Sequence, residues 1–206
     1  MKVDTMRMID RSVGVPLTFL LTLIIRLKEK VLPPKPIRAK NILFIELSEM
    51  CSTILADPAL RKAKEQLGAE LFFVIFANNR ESLDLTGTVL PEHTFTIREN
   101  NLLLLAVDTL RFLAWTRQQG IDTVIDLELF SRFTALLSGS CGASNRVGFY
   151  RFHNEGLYRG ELLSHRVAYN PHIHIAKNFI ALVNSLLADE AELPYCKQPI
   201  RDEEIQ

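Results

Sequence analysis

The chain has 206 residues, 48% apolar and 23% charged, which suits a folded core and excludes wholesale disorder, a collagen-like repeat and a polytopic membrane protein. Its three cysteines, Cys51, Cys141 and Cys196, show no CxxC spacing, which argues against a disulfide framework or a usual zinc site and fits a reducing compartment. The net charge of zero conceals an asymmetry: residues 1–40 carry nine Lys or Arg against three Asp or Glu, so a +6 head precedes a −6 body.

The head contains an uncharged run of thirteen residues at 13–25, VGVPLTFLLTLII. A bilayer span needs about 20. Acids precede the run and no small-x-small cleavage site follows it, which argues against a signal peptide. Pro16 suits a first helical turn, and Arg26, Lys28 and Lys30 complement the dipole at the other end. The pattern predicts a helix in or dipping into a membrane interface, with cationic contacts to an anionic surface. The alternative is a helix packed on its own domain or on another. Pro33, Pro34 and Pro36 predict a stiff spacer. Nucleic acid is not an expected partner, because no basic region is interleaved with aromatics.

From residue 41 the chain alternates short apolar runs with helical periods. Strands are expected at 41–47, 70–76, 93–97, 121–127 and 145–149. Helices are expected at 52–67, near 80–85, at 102–119 (stopped by Gly120), from 131, and at 173–187. This order predicts an α/β fold: a doubly wound, Rossmann-like parallel sheet of about five strands, preceded by an N-terminal apolar helix. The expected domains are a membrane-associating head and spacer at 1–40, a Rossmann-like domain at 41–188 and a polar linker or tail at 189–206.

Ligands of open α/β sheets bind beyond the carboxyl ends of the strands. The first such loop, LSEMCST, has neither GxGxxG nor a P-loop pattern. Ser52 and Thr53 there serve either as helix caps or as ligand contacts. The window RVGFYRFHNEGLYRGELLSHR at 146–166 concentrates Arg, His and Tyr, side chains suited to phosphates, carboxylates and sugar faces; a solvated surface loop is the bland alternative. His165, His172 and His174 could suggest a metal, but the HxH pair lacks a clear third ligand, so helix-start roles are expected and no metal is assigned.

Several strings together resemble the heptosyltransferase family, glycosyltransferase family 9. They are NILFIELSEMCSTILADPALRKAKEQLGAEL, FANNRESLDLTG, GIDTVIDLELFSRFTALLSG, NRVGFYRFHNEGLYRG and YNPHIHIAKNFIALV. The head string IDRSVGVPLTFLLTL is similar to the leader of one branch. The resemblance implies the acceptor-binding half of a two-domain GT-B glycosyltransferase, with the donor site on a separate domain beyond residue 206. It implies inverting transfer from a nucleotide sugar such as ADP-heptose to a lipopolysaccharide-core-like acceptor, at the cytoplasmic face of the bacterial inner membrane. No cofactor is implied; the nucleotide sugar is a substrate. The family's Gly-Asp pair aligns with Cys51–Ser52, and a serine hydroxyl needs its own activator to act as a base. Glu49 is then the first substitute for the base and Glu128 the second, with Ser52 beside them. Ser48, Arg132, Arg151, His153, Tyr158 and Arg159 are the expected acceptor contacts. A membrane-attached, non-catalytic scaffold module is the competing reading.

Overall fold

The computed structural model describes residues 8, 10–32, 37–129, 131–151 and 158–188. The expected spacer at 33–36 and the tail at 189–206 lie outside them. Helix α1 (Val15–Val31) enters through a wider π-type turn at Asp10–Gly14. Then follow β1 (Asn41–Ile45), α2 (Met50–Leu55), α3 (Asp57–Leu67), β2 (Glu70–Phe76), α4 (Arg80–Asp84), β3 (Thr94–Ile97) and α5 (Leu102–Gln118). The chain continues through β4 (Thr123–Asp126), α6 (Arg132–Ser140), β5 (Asn145–Arg151), β6 (His165–Ala168) and α7 (Ile175–Asn184).

All six strands pair in parallel, in the order β3-β2-β1-β4-β5-β6. The order reverses between β1 and β4, the crevice where doubly wound sheets bind ligands. Strand alternation divides the core. Ile42 and Phe44 join Leu60 and Ala63 of α3 and Phe179 of α7 on one face. Leu43 and Ile45 join Phe112 of α5 and Leu137 of α6 on the other. Period-2 alternation in strands buried on both sides produces this directly.

Three details differ from the sequence expectation. The helix expected over 52–67 is two helices, broken at Ala56; Pro58 lacks the N–H that continuity would need and instead opens the first turn of α3. The strand at 145 runs on to Arg151. A sixth strand, HRVA, which the sequence does not predict, begins at the end of the 146–166 window; it buries only Val167 and sits at the sheet edge.

Helix α1 packs on the body through its polar, small side. Gly14, Thr18, Thr22 and Ile25 are buried, while Leu17, Leu20, Ile24 and Leu27 face outward. Thr18 and Thr22 spend their hydroxyls on the carbonyls of Gly14 and Thr18, so a thin, satisfied surface meets the body. Ile25 packs with Ala135 of α6 and Leu162. Gly160, at φ +76°, lies under this seat; a Cβ there would stand 2.7 Å from Thr22 Oγ1 and 2.9 Å from the Thr18 carbonyl oxygen. Two arginines complete the attachment. Arg132 donates to Asp10 at 2.7 Å, and Arg146 donates to Glu29 at 2.6 Å. Both guanidinium groups are largely buried, so they need these carboxylates.

Gly160 and Gly87 share a left-handed conformation, but nothing approaches within 4 Å of a Cβ at Gly87. Gly87→Ala should therefore cost about 1–2 kcal/mol, from backbone strain alone. Gly160→Ala should cost roughly 2–4 kcal/mol and speed hydrogen exchange in α1. Urea unfolding and amide exchange check this; equal losses for the two variants would contradict the seat of α1.

Candidate functional site

β1 and β4 are neighbours, and the chain leaving each of them carries acids. Glu46 follows β1, Asp126 ends β4, and Glu128 comes two residues later. Glu128 folds back over the β1 loop. Its Oε1 accepts from the Leu47 N–H at 3.2 Å, the Ser48 N–H at 3.1 Å and the Ser48 hydroxyl at 2.7 Å. Glu49 precedes α2. Its amide donates to Glu46 Oε1 at 3.4 Å, and its Oε2 accepts from the Ser52 hydroxyl at 2.9 Å. Ser48 and Glu49 are exposed and Ser52 is half-buried, while Glu46 is sealed beneath them.

The electrostatics follow from this crowding. Burial pushes the Glu46 carboxyl up to about 9; Glu128 beside it pushes the same way, and the Glu49 amide opposes only weakly. Glu46 therefore holds a proton near neutral pH and hydrogen-bonds to Glu128. Burial also raises Asp126 to about 6, outweighing the opposite pull of Arg159. Asp126 accepts from the Glu128 amide at 3.1 Å and from the Thr134 hydroxyl at 3.1 Å, which leaves it ionised but enclosed.

Arg159 is fully engaged. Its guanidinium ion-pairs with Asp126 and donates to Thr134 Oγ1 at 3.1 Å. It also donates to the carbonyls of Ser131 at 2.9 Å, Glu128 at 2.7 Å and Leu129 at 3.5 Å. Five N–H groups meet five acceptors, so Arg159 clamps the β4–α6 turn from within.

The fold thus brings Ser48, Glu49, Ser52 and Glu128 together, with Arg159 directly behind Glu128. Arg132 points elsewhere: its Nε donates to the Tyr158 carbonyl at 2.8 Å and its terminal nitrogen to Asp10. Tyr158 is exposed. The side chain of Arg151 and all of His153 lie outside the described residues. His174 caps α7, accepting from the Ala176 amide at 3.2 Å. Among the described residues no group of three or more His, Cys, Asp or Glu is arranged to hold a metal ion. Sequence reasoning missed Glu46 and Asp126, which it absorbed into apolar strands. The available signal was an acid at the carboxyl end of each of two strongly apolar runs.

No protein-family model matches the sequence, and no curated protein matches it. Solved structures do share the fold. E. coli ADP-heptose lps heptosyltransferase II is 18% identical with a TM-score of 0.56, over 69% of this chain and 40% of that one. E. coli heptosyltransferase WaaC with ADP-2-deoxy-2-fluoro heptose is 13% identical with a TM-score of 0.57, over 78% and 50%. A glycosyl transferase of family 9 from Veillonella parvula is 16% identical with a TM-score of 0.58, over 73% and 42%. This chain therefore spans about half the length, or less, of the structures it matches.

A carboxyl whose folded pKa lies above its unfolded value binds an extra proton in the folded state, so stability falls as pH rises between the two. For Glu46 that window runs from 4.5 to about 9. Glu46→Gln keeps the shape and hydrogen bonds of the protonated acid and should remove this dependence. Urea midpoints should be similar for parent and variant at about pH 5 and higher for the variant at about pH 8.5. A constant difference across that range would contradict a protonated Glu46.

Proposed function

We propose that this chain is the acceptor-binding half of a glycosyltransferase, with the loop from Ser48 to Ser52 at the reacting centre. One observation carries the reading. Ser48, Glu49, Ser52 and Glu128 converge at the carboxyl ends of β1 and β4, in a fold shared with heptosyltransferases. In inverting transfer the acceptor hydroxyl oxygen attacks the anomeric carbon while the bond to the nucleotide diphosphate breaks, and a base removes the hydroxyl proton. Glu49 fits that base: its carboxylate is exposed, and the Ser52 hydroxyl holds only Oε2. Ser52 is then a positioning residue. Glu128 is the second candidate, but its Oε1 already accepts three hydrogen bonds. Glu46, holding a proton, cannot take another.

A nucleotide sugar of the ADP-heptose kind would come from a separate donor-binding domain, and no cofactor enters this chemistry. The acceptor would be a phosphorylated sugar resembling lipopolysaccharide core. The exposed Tyr158 ring offers it a stacking face, whereas Arg159 acts by holding the turn beneath it. The competing scaffold reading draws support from how many of the polar groups here bind one another.

Calorimetry with a phosphorylated core oligosaccharide separates the two. The parent chain should bind it, Tyr158→Ala should weaken binding, and Glu49→Gln should bind as the parent does. Supplied with donor domain and donor, Glu49→Gln should lose about 10²–10⁴-fold in turnover. No binding by the parent would favour the scaffold, and full turnover in Glu49→Gln would move the base to Glu128.

A further inference from the structure

The two helical layers of the sheet present opposite surfaces. On one, α3 shows Arg61, Lys64, Glu65 and Gln66 to solvent, as a water-facing helix should. On the other, α6 lies between α5 and α1 and exposes no residue, so α5 and α1 form the outer surface. Both show apolar stripes there. On α1, Leu17, Leu20, Ile24 and Leu27 repeat at helical spacing and are 44–66% exposed. On α5, Leu103, Val107 and Leu110 are 75%, 43% and 69% exposed. Soluble surfaces rarely carry such apolar stripes.

Charge selects the occupant. The two described acids of the head both turn inward, Asp10 to Arg132 and Glu29 to Arg146. Arg11, Lys28 and Lys30 remain exposed beside the outward stripe. The outward side of α1 is thus apolar and cationic, the combination that favours an anionic lipid surface over a second protein's apolar face. The other side of α1 is seated on the body from Gly14 to Glu29. At 17 residues the helix spans about 25 Å. Among the described residues no helix is long and apolar enough to cross a membrane.

We propose that the outward faces of α1 and α5 form one platform that lies on an anionic bilayer, with Leu103, Val107 and Leu110 as a second contact beside the head. This seating does not depend on sugar transfer at the carboxyl edge. The test is co-sedimentation of the full 206-residue chain with phosphatidylcholine vesicles containing about one-third phosphatidylglycerol. The parent should bind these, less in high salt, and bind pure phosphatidylcholine weakly. Leu20→Gln with Leu27→Gln, and separately Leu103→Gln with Leu110→Gln, should each weaken partition about tenfold. Arg61→Gln with Lys64→Gln on α3 should change nothing. All replaced side chains are exposed, and circular dichroism confirms folding. No binding by the parent, or equal binding to neutral vesicles, overturns the proposal. So does parent-like binding by either leucine pair. A lipid-free dimer that both leucine pairs dissolve would assign the face to a second copy and overturn it as well.

Discussion

The ion pair between Asp126 and Arg159 joins parts of the molecule that are otherwise separate. Asp126 closes the central strand β4 and is 1% exposed. An isolated carboxylate there would be neutralised or expelled; Arg159 and the Thr134 hydroxyl make it tolerable. In return Asp126 anchors a guanidinium that gathers three carbonyls of the turn after β4. That turn carries Glu128, and Glu128 holds the Ser48 loop. On the other side, the residues next to Arg159 reach the N-terminal helix. The Tyr158 carbonyl takes Arg132, Gly160 underlies Thr18 and Thr22, and the Glu161 amide donates to Thr22 Oγ1 at 3.0 Å. Four consecutive residues thus link the carboxyl edge of the sheet to the seat of α1.

Packing three acids around one crevice is costly for folding. Desolvation dominates at Glu46 and Asp126 alike, and the two resolve it differently. Asp126 has an arginine and stays ionised near neutral pH. Glu46 is buried beside Glu128 and Asp126, whose charges oppose its ionisation, and it keeps its proton. Apolar residues of similar size would fold more easily there, and perturbed acids concentrate where chemistry is done. The same logic separates roles within the loop. The enclosed acids set its shape and field, whereas Glu49 is exposed.

Much of the fold was legible because its rules are local. Apolar runs bounded by turns marked five of the six strands, Gly120 closed α5, and Ser131 capped α6 by accepting from the Thr134 amide at 3.2 Å. HRVA was missed because an edge strand with one buried residue has no periodicity to detect. The run at 13–25 is apolar. What the sequence does not reveal is that its two threonines and a glycine would turn inward; that inversion depends on Gly139 and Gly160 of the body leaving room for a close approach. At the site, the Ser48–Ser52 loop and Glu128 were legible from strand ends. The commitment of Arg159 was not, because its five acceptors come from residues 25 to 33 positions away.

One clamp fixes both the Ser48 loop and α1. Amide hydrogen exchange on Arg159→Ala tests it most directly. Removing a partner from a buried pair typically costs about 3–5 kcal/mol. Exchange should be faster, relative to the rest of the sheet, at Leu47 and Ser48 and along α1 in the same variant. Loss of protection in only one of these regions, or in neither, would contradict it.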